Sequence, residues 1–574
     1  MTLAGPRSSR DIINHYKMTT ITIRIAGLLC LFGILSGLPV SGQGRSSSSA
    51  IGRLAEEDRL ENRPESLEWL KDAGFGMFVH WSLDSQIGSV ISHVLVGASG
   101  EFVNYFYDDL PKTFNPKRFD PEEWVVLAKL AGMKYIVLTA KHHSGFCLWD
   151  TKTTGFNVMN TPFGRDIVAE YVEACRKHGL KVGLYFSPPD FLYMHKHGNI
   201  ISRETREYNP SSSMEYHEYI KAQVAELMKN YGKIDVVFFD GGATDELKKL
   251  CWAANPDLLI TRGAIRTPEM AVAGTISNQA WESCITMGSQ WQYRVNENYK
   301  TGTRLIEILI ETRAKGGSLL LNVGPKPNGE LPGEQEERLR EMALWYSFNK
   351  DAVDEVRPWI VANEGDIWFS RKGRDVYAYL TKVGVWERGT RKSFVLGSVK
   401  ATKDTEVLVV GQSGLTIAGR EMNKDIKGRA SQEEDGLHIS VVQAYRPYSN
   451  NKWANPVVVK VTNVEPALVP PVFATLGAEG IAGSRARLRG ELTDIAGAGS
   501  VEAGFQYRIM PEYGEEVNVE EWIQSDFVRL TANGEFRLDV GGLKSGPAYQ
   551  VRAVIKHRLV TLYGDTRRFS ARAE

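Results

Sequence analysis

Cysteine is scarce in this chain, with five in 574 residues. Cys30 falls in the N-terminal leader, which leaves Cys147, Cys175, Cys251 and Cys284. No CxxC pair occurs, so the spacing of a zinc site is missing. An exported chain would be free to form disulfides, but nothing in the sequence pairs these four. Surplus charge is also lacking: Lys plus Arg number 69 and Asp plus Glu number 69. That balance leaves no electrostatic footprint for nucleic acid and no acidic tail. There is no apolar run long enough for a comfortable membrane span. No GxGxxG follows any strand pattern, which argues against a dinucleotide fold. Solenoid repeats and long low-complexity tracts are missing too.

What remains is ordinary globular composition, 43% hydrophobic and 24% charged, in a chain long enough for several domains. Arg24 precedes an apolar run, Ile25–Val40, that Gly and Pro interrupt, and Val40-Ser41-Gly42 offers small residues at cleavage-site spacing. Residues 1–43 therefore read as a leader with a secretory signal peptide starting at Met18, which implies a secreted or periplasmic protein. Residues 44–63 read as a Gly/Ser-rich linker.

From Pro64 onward strand and helix patterns alternate. Strands are expected at Gly74–Trp81, Lys134–Lys141, Lys181–Ser187, Asp235–Asp240, Leu258–Arg262, near Thr275–Ala280 and at Ser318–Val323. Helices are expected at Pro121–Gly132, Asp166–His178, Ser213–Tyr231, Asp245–Ala254, Gly302–Ala314 and Glu334–Asn349. The strands are short, apolar and β-branched, as strands buried on both faces are. Such alternation predicts an α/β fold, an irregular (β/α) TIM-like barrel over 64–362 with at most seven strands; a doubly wound open sheet is the alternative. Beyond it the helical pattern stops. Residues 363–464 read as an antiparallel β-sandwich, and 465–574 as a further all-β domain. In the latter, Leu543–Arg552 resembles the tyrosine-corner strand of a fibronectin III-like sandwich.

The chemistry-bearing residues collect at strand ends, where (β/α) barrels place their sites. Asp240 closes the run Val236–Phe239 and is followed by two glycines. His80 and Trp81 end the first strand, His142 and His143 follow the second, Tyr185 is near the end of the third, and Arg262 ends the fifth. Consecutive His residues point to opposite faces of a strand, so both reach one site only where the chain bends into a loop. No third His or carboxylate stands at a spacing that completes a zinc site. Trp281 and Glu282 are expected to follow the sixth strand. A ring of His, aromatic, Tyr, Asp, Arg and Glu suits a polyhydroxylated substrate, and two carboxylates, Asp240 and Glu282, suffice for glycoside hydrolysis. Burial beside Trp281 would help keep Glu282 protonated as the acid.

Several motifs run in one order through this region: GMFVHWS (Gly76–Ser82), FNPKRFDPEEW (Phe114–Trp124), LTAKHHSGFCLWDTKTT (Leu138–Thr154), GLYFSP (Gly183–Pro188), YGKIDVVFFDG (Tyr231–Gly241), WESC (Trp281–Cys284) and GGSLLLNVGPKPNGELP (Gly316–Pro332). With them the chain resembles the α-L-fucosidases of glycoside hydrolase family 29 over roughly Ser66–Trp359. The resemblance implies a retaining exo-enzyme acting on fucosylated glycans, with no metal and no cofactor. It implies Asp240 as nucleophile and His80, His142, His143, Tyr185 and Arg262 as substrate-binding residues, with Trp81 and Phe238 on the sugar face. Glu282 is the expected acid/base, with Glu297 and Glu101 as rivals. The chain departs from the family pattern at Phe238, where Trp is usual, and at Ser82 and Ser144, which replace Gly and Asp. An α-L-galactosidase on the same scaffold and a non-catalytic glycan-binding protein are the competing readings.

Overall fold

Short apolar strands buried on both faces cannot be satisfied by one layer, and helices cover the sheet they make. In the computed structural model, which describes residues 60–417, 425–445, 455–510 and 522–570, seven parallel strands form that sheet. They are β1 (Phe75–Val79), β2 (Tyr135–Lys141), β3 (Lys181–Phe186), β4 (Val236–Phe239), β5 (Leu259–Ile260), β6 (Glu282–Thr286) and β7 (Ser318–Val323), in the order β5-β4-β3-β2-β1-β7-β6. All residues of β1, β2, β4, β6 and β7 are buried. The leader and most of the linker lie outside the described residues.

The barrel is irregular at one seam. No ladder joins β5 to β6; isolated parallel bridges from Arg266 to Trp281 and from Glu269 to Cys284 lay the segment after β5 along β6 instead. One strand expectation is corrected here. Thr275–Ala280 is loop, and the sixth strand begins at Glu282, so Trp281 and Glu282 open that strand rather than follow it.

Helices α1 (Pro64–Ala73), α2 (Pro121–Leu130), α3 (Ile167–His178), α4 (Met214–Asn230), α5 (Asp245–Ala254), α6 (Gly302–Ala314) and α7 (Gly333–Asn349) form the outer layer. Their starts are set locally. Asp120 accepts the Glu122 N–H, Asp166 the Ala169 N–H and Ser213 the Tyr216 N–H, which satisfies amides that a helix start leaves orphaned. No helix among the described residues is long and apolar enough to cross a membrane.

The β-rich remainder forms two further layered units. A five-stranded antiparallel sheet includes Arg357–Glu364, Ile367–Lys372, Asp375–Leu380 and Val457–Val461, and a three-stranded sheet is built on Arg391–Leu396 and Gly436–Val442. Their shared core includes Trp359, Phe369, Val376, Leu437 and Val459. The last unit packs the sheet of Val472–Ala482, Arg485–Asp494 and Gly534–Val540 on that of Val501–Ile509 and Ala548–Lys556. Its Tyr549 hydroxyl accepts the Lys544 N–H at 2.7 Å, the tyrosine-corner contact of fibronectin III-like sandwiches. The four cysteines are buried and free.

Candidate active site

The parallel strands all present their C-terminal ends to one rim, and the polar side chains meet there. One pocket is lined by His80, His142, His143, Tyr185, Phe238, Asp240 and Arg262, together with Phe78, Ile91, His93, Arg203, Glu269, Cys284 and Trp291. Asp240 stands one residue past β4, and the chain then turns through Gly241 (φ 80°) and Gly242 (φ 55°), backbone angles that favour residues without a Cβ. This tight turn keeps the carboxylate at the strand end instead of letting it swing into a loop.

Asp240 is held from three sides. The Tyr185 hydroxyl donates to its Oδ2 at 2.7 Å, Arg262 Nη1 donates to its Oδ1 at 3.1 Å, and His143 Nε2 stands 3.6 Å away. Burial opposes its ionisation, but the Arg262 charge and the hydrogen bonds from Arg262 and Tyr185 hold the carboxyl below its ordinary value. It is therefore a carboxylate throughout the neutral range. The Arg262 guanidinium lies over the Phe238 ring at 4.8 Å, and its other terminal nitrogen donates to Glu269 Oε2 at 2.9 Å. A single guanidinium thus bridges two carboxylates, one on each terminal nitrogen.

The imidazoles are neutral. Burial lowers His80 to about 4 and His143 to about 3, and lowers His142 well below the usual histidine value, with the neighbouring imidazoles adding to it. The His80 tautomer follows from its partners. Asn322 Nδ2 donates to the Trp291 carbonyl at 2.5 Å, so Asn322 Oδ1 is the acceptor that receives the His80 Nδ1–H at 2.6 Å. The His80 Nε2 lone pair is then free to accept a hydroxyl proton. His142 Nδ1 meets Ser92 Oγ at 2.8 Å; the same oxygen accepts the Ser144 N–H, and Ser92 is buried in a left-handed conformation (φ 57°). His143 Nδ1 meets Ser187 Oγ. Both His142 and His143 reach the pocket because β2 ends at Lys141 and the pair sits on the bend.

His142, His143 and Asp240 each offer an atom within 4.8 Å of the others, a spacing a cation could use. The fit is poor. The Arg262 guanidinium already neutralises Asp240, and a divalent ion there would meet that fixed positive charge.

Two expected site residues are elsewhere. Trp81 follows His80 and so faces the opposite side of its strand. It is fully buried under the rim loops, stacked on Phe119 at 5.4 Å and edge-on to Trp124 at 5.6 Å. Glu282 lies at the far end of the barrel. It pairs with Ser318, the first residue of β7, and its Oε2 accepts from Tyr135, the first residue of β2, at 2.5 Å. It is 0% exposed and does not line the pocket. The cause is the shifted sixth strand. Nor do the rivals line the pocket: Glu297 is engaged by Ser289 Oγ at 3.0 Å and the Asn298 N–H at 2.9 Å, and Glu101 is exposed on a short helix, Gly100–Asn104.

The buried Glu282 has its own expected signature. Burial pushes its carboxyl up to about 7, against an ordinary 4.5. The folded protein binds this proton more tightly than the unfolded chain, so the stability it confers is complete below about 4.5 and is lost as pH rises through about 7. A shift of that size is worth on the order of 3 kcal/mol. Glu282→Gln, which keeps the shape and the Tyr135 contact, is expected to flatten the fall in Tm between pH 5 and pH 8. An unchanged Tm profile in calorimetry would contradict this.

Glu269 was not legible as a site residue. It lies seven positions past Arg262 in a loop without apolar period. Only the folding of that segment along β6 carries it to the rim, where it is 41% exposed. Trp291, whose ring lies 4.9 Å from that of His80, follows β6 and was hidden by the same error in that strand.

A carboxylate held ionised by an arginine and a tyrosine, a second carboxylate open to water, neutral imidazoles and aromatic walls define a glycoside hydrolase on a (β/α) barrel. A family model described as alpha-L-fucosidase matches residues 47–351. Plasma alpha-L-fucosidase of Homo sapiens is 28% identical over 435 residues, 67% of this chain and 88% of its own. Alpha-L-fucosidase of Dictyostelium discoideum is 26% identical over 444 residues, 68% of this chain and 92% of its own. The solved structure of alpha-L-fucosidase isoenzyme 1 from Paenibacillus thiaminolyticus superposes with a TM-score of 0.56 at 27% identity, over 70% of this chain and 99% of that one. The chain belongs to the α-L-fucosidase family.

Proposed function

We propose that this protein is a retaining exo-α-L-fucosidase that removes terminal α-L-fucosyl units from fucosylated glycans outside the cytoplasm, with Asp240 as nucleophile and Glu269 as acid/base. The observation that carries the reading is the Arg262 bridge. It joins an ionised, buried-side carboxylate to a solvent-open one across a pocket lined by neutral hydrogen-bonding rings. Retaining glycosidases need two carboxyl groups about 5–5.5 Å apart, and a shared guanidinium supports that order of separation.

The Asp240 carboxylate attacks C1 of the fucosyl unit. The C1–oxygen bond to the aglycone breaks, and the Glu269 proton goes to the departing oxygen. A β-fucosyl ester on Asp240 results. Water then attacks C1, gives its proton to Glu269, and releases Asp240 and L-fucose of α configuration. Water must reach the acid/base for this second step, and the exposure of Glu269 suits it while the burial of Glu282 does not. His80, through its Nε2 lone pair, accepts from a sugar hydroxyl. Neutral imidazoles suit an uncharged polyol better than a phosphate.

Phe78, Phe238, Ile91 and Trp291 give the pocket apolar surface for the C6 methyl of fucose. An apolar wall rejects an added hydroxyl only modestly. Aryl α-L-fucoside is therefore expected to exceed the α-L-galactoside in kcat/KM by no more than about 10²-fold. NMR of the first-formed product is expected to show the α anomer. Initial release of the β anomer, or turnover of the galactoside alone, would overturn the assignment of mechanism or of sugar respectively. Silence toward aryl fucosides and fucosylated oligosaccharides alike would favour a glycan-binding protein.

A further inference from the structure

The last β-unit lies beyond the residues that the family model matches, yet it touches the loop that carries Glu269. That loop is held at several points, its outer end by the Ser277 N–H donating to the Lys315 carbonyl at 3.0 Å. Near Glu269 it is tied to β6: the Glu282 N–H donates to the Arg266 carbonyl at 3.1 Å, the Cys284 N–H to the Pro268 carbonyl at 3.1 Å, and the Met270 N–H to the Cys284 carbonyl at 3.0 Å. Met270 then bends the chain in a left-handed conformation, φ 54°, which costs a non-glycine residue and persists only where the surroundings impose it, and the next carbonyl, that of Ala271, still accepts from Ser283 Oγ of β6 at 2.5 Å.

Past that turn the outer arm of the loop meets Asp565. Thr275 Oγ1 donates to Asp565 Oδ1 at 2.9 Å. A Cβ on Gly274 would stand 2.8 Å from the same oxygen and 2.9 Å from the Asp565 Cα, so the two backbones approach as closely as glycine permits. Asp565 itself is not a loose surface residue. It sits in the turn between strands Thr561–Tyr563 and Arg567–Ser570, where the Gly564 N–H donates to the Ala553 carbonyl at 2.9 Å and Arg567 Nε to the Thr475 carbonyl at 3.2 Å. The adjoining hairpin is anchored as well, with Val560 buried in the core of the preceding sandwich.

We propose that Asp565 is a positioning residue for the acid/base: the terminal domain completes the active site by clamping residues 272–276, and through the Met270 turn it fixes where the Glu269 carboxyl stands. This rests on the assignment of Glu269. The site is then incomplete without the domain outside the family match.

The test uses the full-length enzyme and two fucosides of unequal leaving-group quality. A methyl or oligosaccharide α-L-fucoside needs the proton from Glu269, whereas a dinitrophenyl fucoside departs without it. Asp565→Ala is expected to lower kcat/KM on the poor leaving group by about 10- to 100-fold, the usual cost of misplacing a catalytic group by about an ångström. On the dinitrophenyl fucoside kcat/KM, which reports formation of the ester alone, should change by less than about twofold, while kcat and KM fall together because Glu269 also activates the water. Thr275→Val should show the same split, and Asp565→Asn, which keeps the Oδ1 acceptor, should restore the native ratio. Equal loss of kcat/KM on both substrates, or no loss on either, overturns the clamp. Glu269→Gln is run in parallel. If it shows the leaving-group split and Asp565→Ala does not, the clamp alone falls; if it shows none, the acid/base assignment falls and takes the clamp with it.

Discussion

Asp240→Gly is expected to lower kcat on aryl α-L-fucosides by at least about 10³-fold, the scale on which removal of a nucleophile acts. The loss should be chemical and not structural. Asp240 is at a solvent-facing strand end, its side chain is about a quarter exposed, and the following glycines already define the turn. The fold should survive with a Tm close to that of the parent. A sharper signature lies in the product. With Asp240 gone, the face opposite the leaving group is open to a small anion, and azide should attack C1 there directly. One displacement inverts the centre, so the product should be β-L-fucosyl azide. Formation of the α-azide would mean that a covalent intermediate still forms, and another residue would be the nucleophile.

Glu269→Gln is expected to cost about 10²- to 10⁴-fold on fucosides with poor leaving groups, the range for loss of a general acid. In kcat/KM it should cost far less on a dinitrophenyl fucoside, where the ester on Asp240 still forms. That ester should then accumulate, because no base activates water, and pre-steady-state release of dinitrophenol should show a burst. Azide should capture the ester with a second inversion, yielding α-L-fucosyl azide, the opposite anomer to that from the Asp240 variant. Glu282→Gln is the informative companion. It alters a carboxyl at the far end of the barrel, so it should leave both the leaving-group dependence and the burst unmoved while changing the pH profile of stability. Reversal of the two glutamate phenotypes would return the acid/base role to Glu282 and imply a rearrangement of the whole β6 edge.

The sequence carried the regular half of the site and misled on the irregular half, for one physical reason. His80, His142, His143, Tyr185, Asp240 and Arg262 follow short apolar runs, and a parallel strand buried on both faces writes its length plainly into the chain. Where such a run stops, the rim begins. The sixth strand, Glu282–Thr286, has polar residues at three of its five positions and is stabilised by side-chain contacts made elsewhere, with Tyr135 and the Ala271 carbonyl among them. Its boundaries had no apolar signature, so Glu282 was read at the wrong end. Trp81 erred by a single residue of alternation. Glu269 had no local signal at all, because only tertiary pairing of its loop with β6 brings it to the pocket. The β-sandwich and the tyrosine corner were legible from alternation and from the Leu543–Arg552 pattern; the contact of Asp565 with Thr275, 290 positions apart in sequence, was not.

The seam between β5 and β6 has an evolutionary consequence. Asp240 is tied to a strand whose every residue is buried, so insertion or deletion near it would shift a whole row of side chains and cost the fold. Glu269 rides on a segment joined to the sheet only by isolated bridges, so a change of length there would displace this carboxyl without shifting the sheet itself. The two carboxyls proposed for the reaction are therefore under unequal structural constraint. A barrel built this way could keep the proposed nucleophile in register while its proton donor moved along the chain, and such a move would redraw the surface that meets the aglycone.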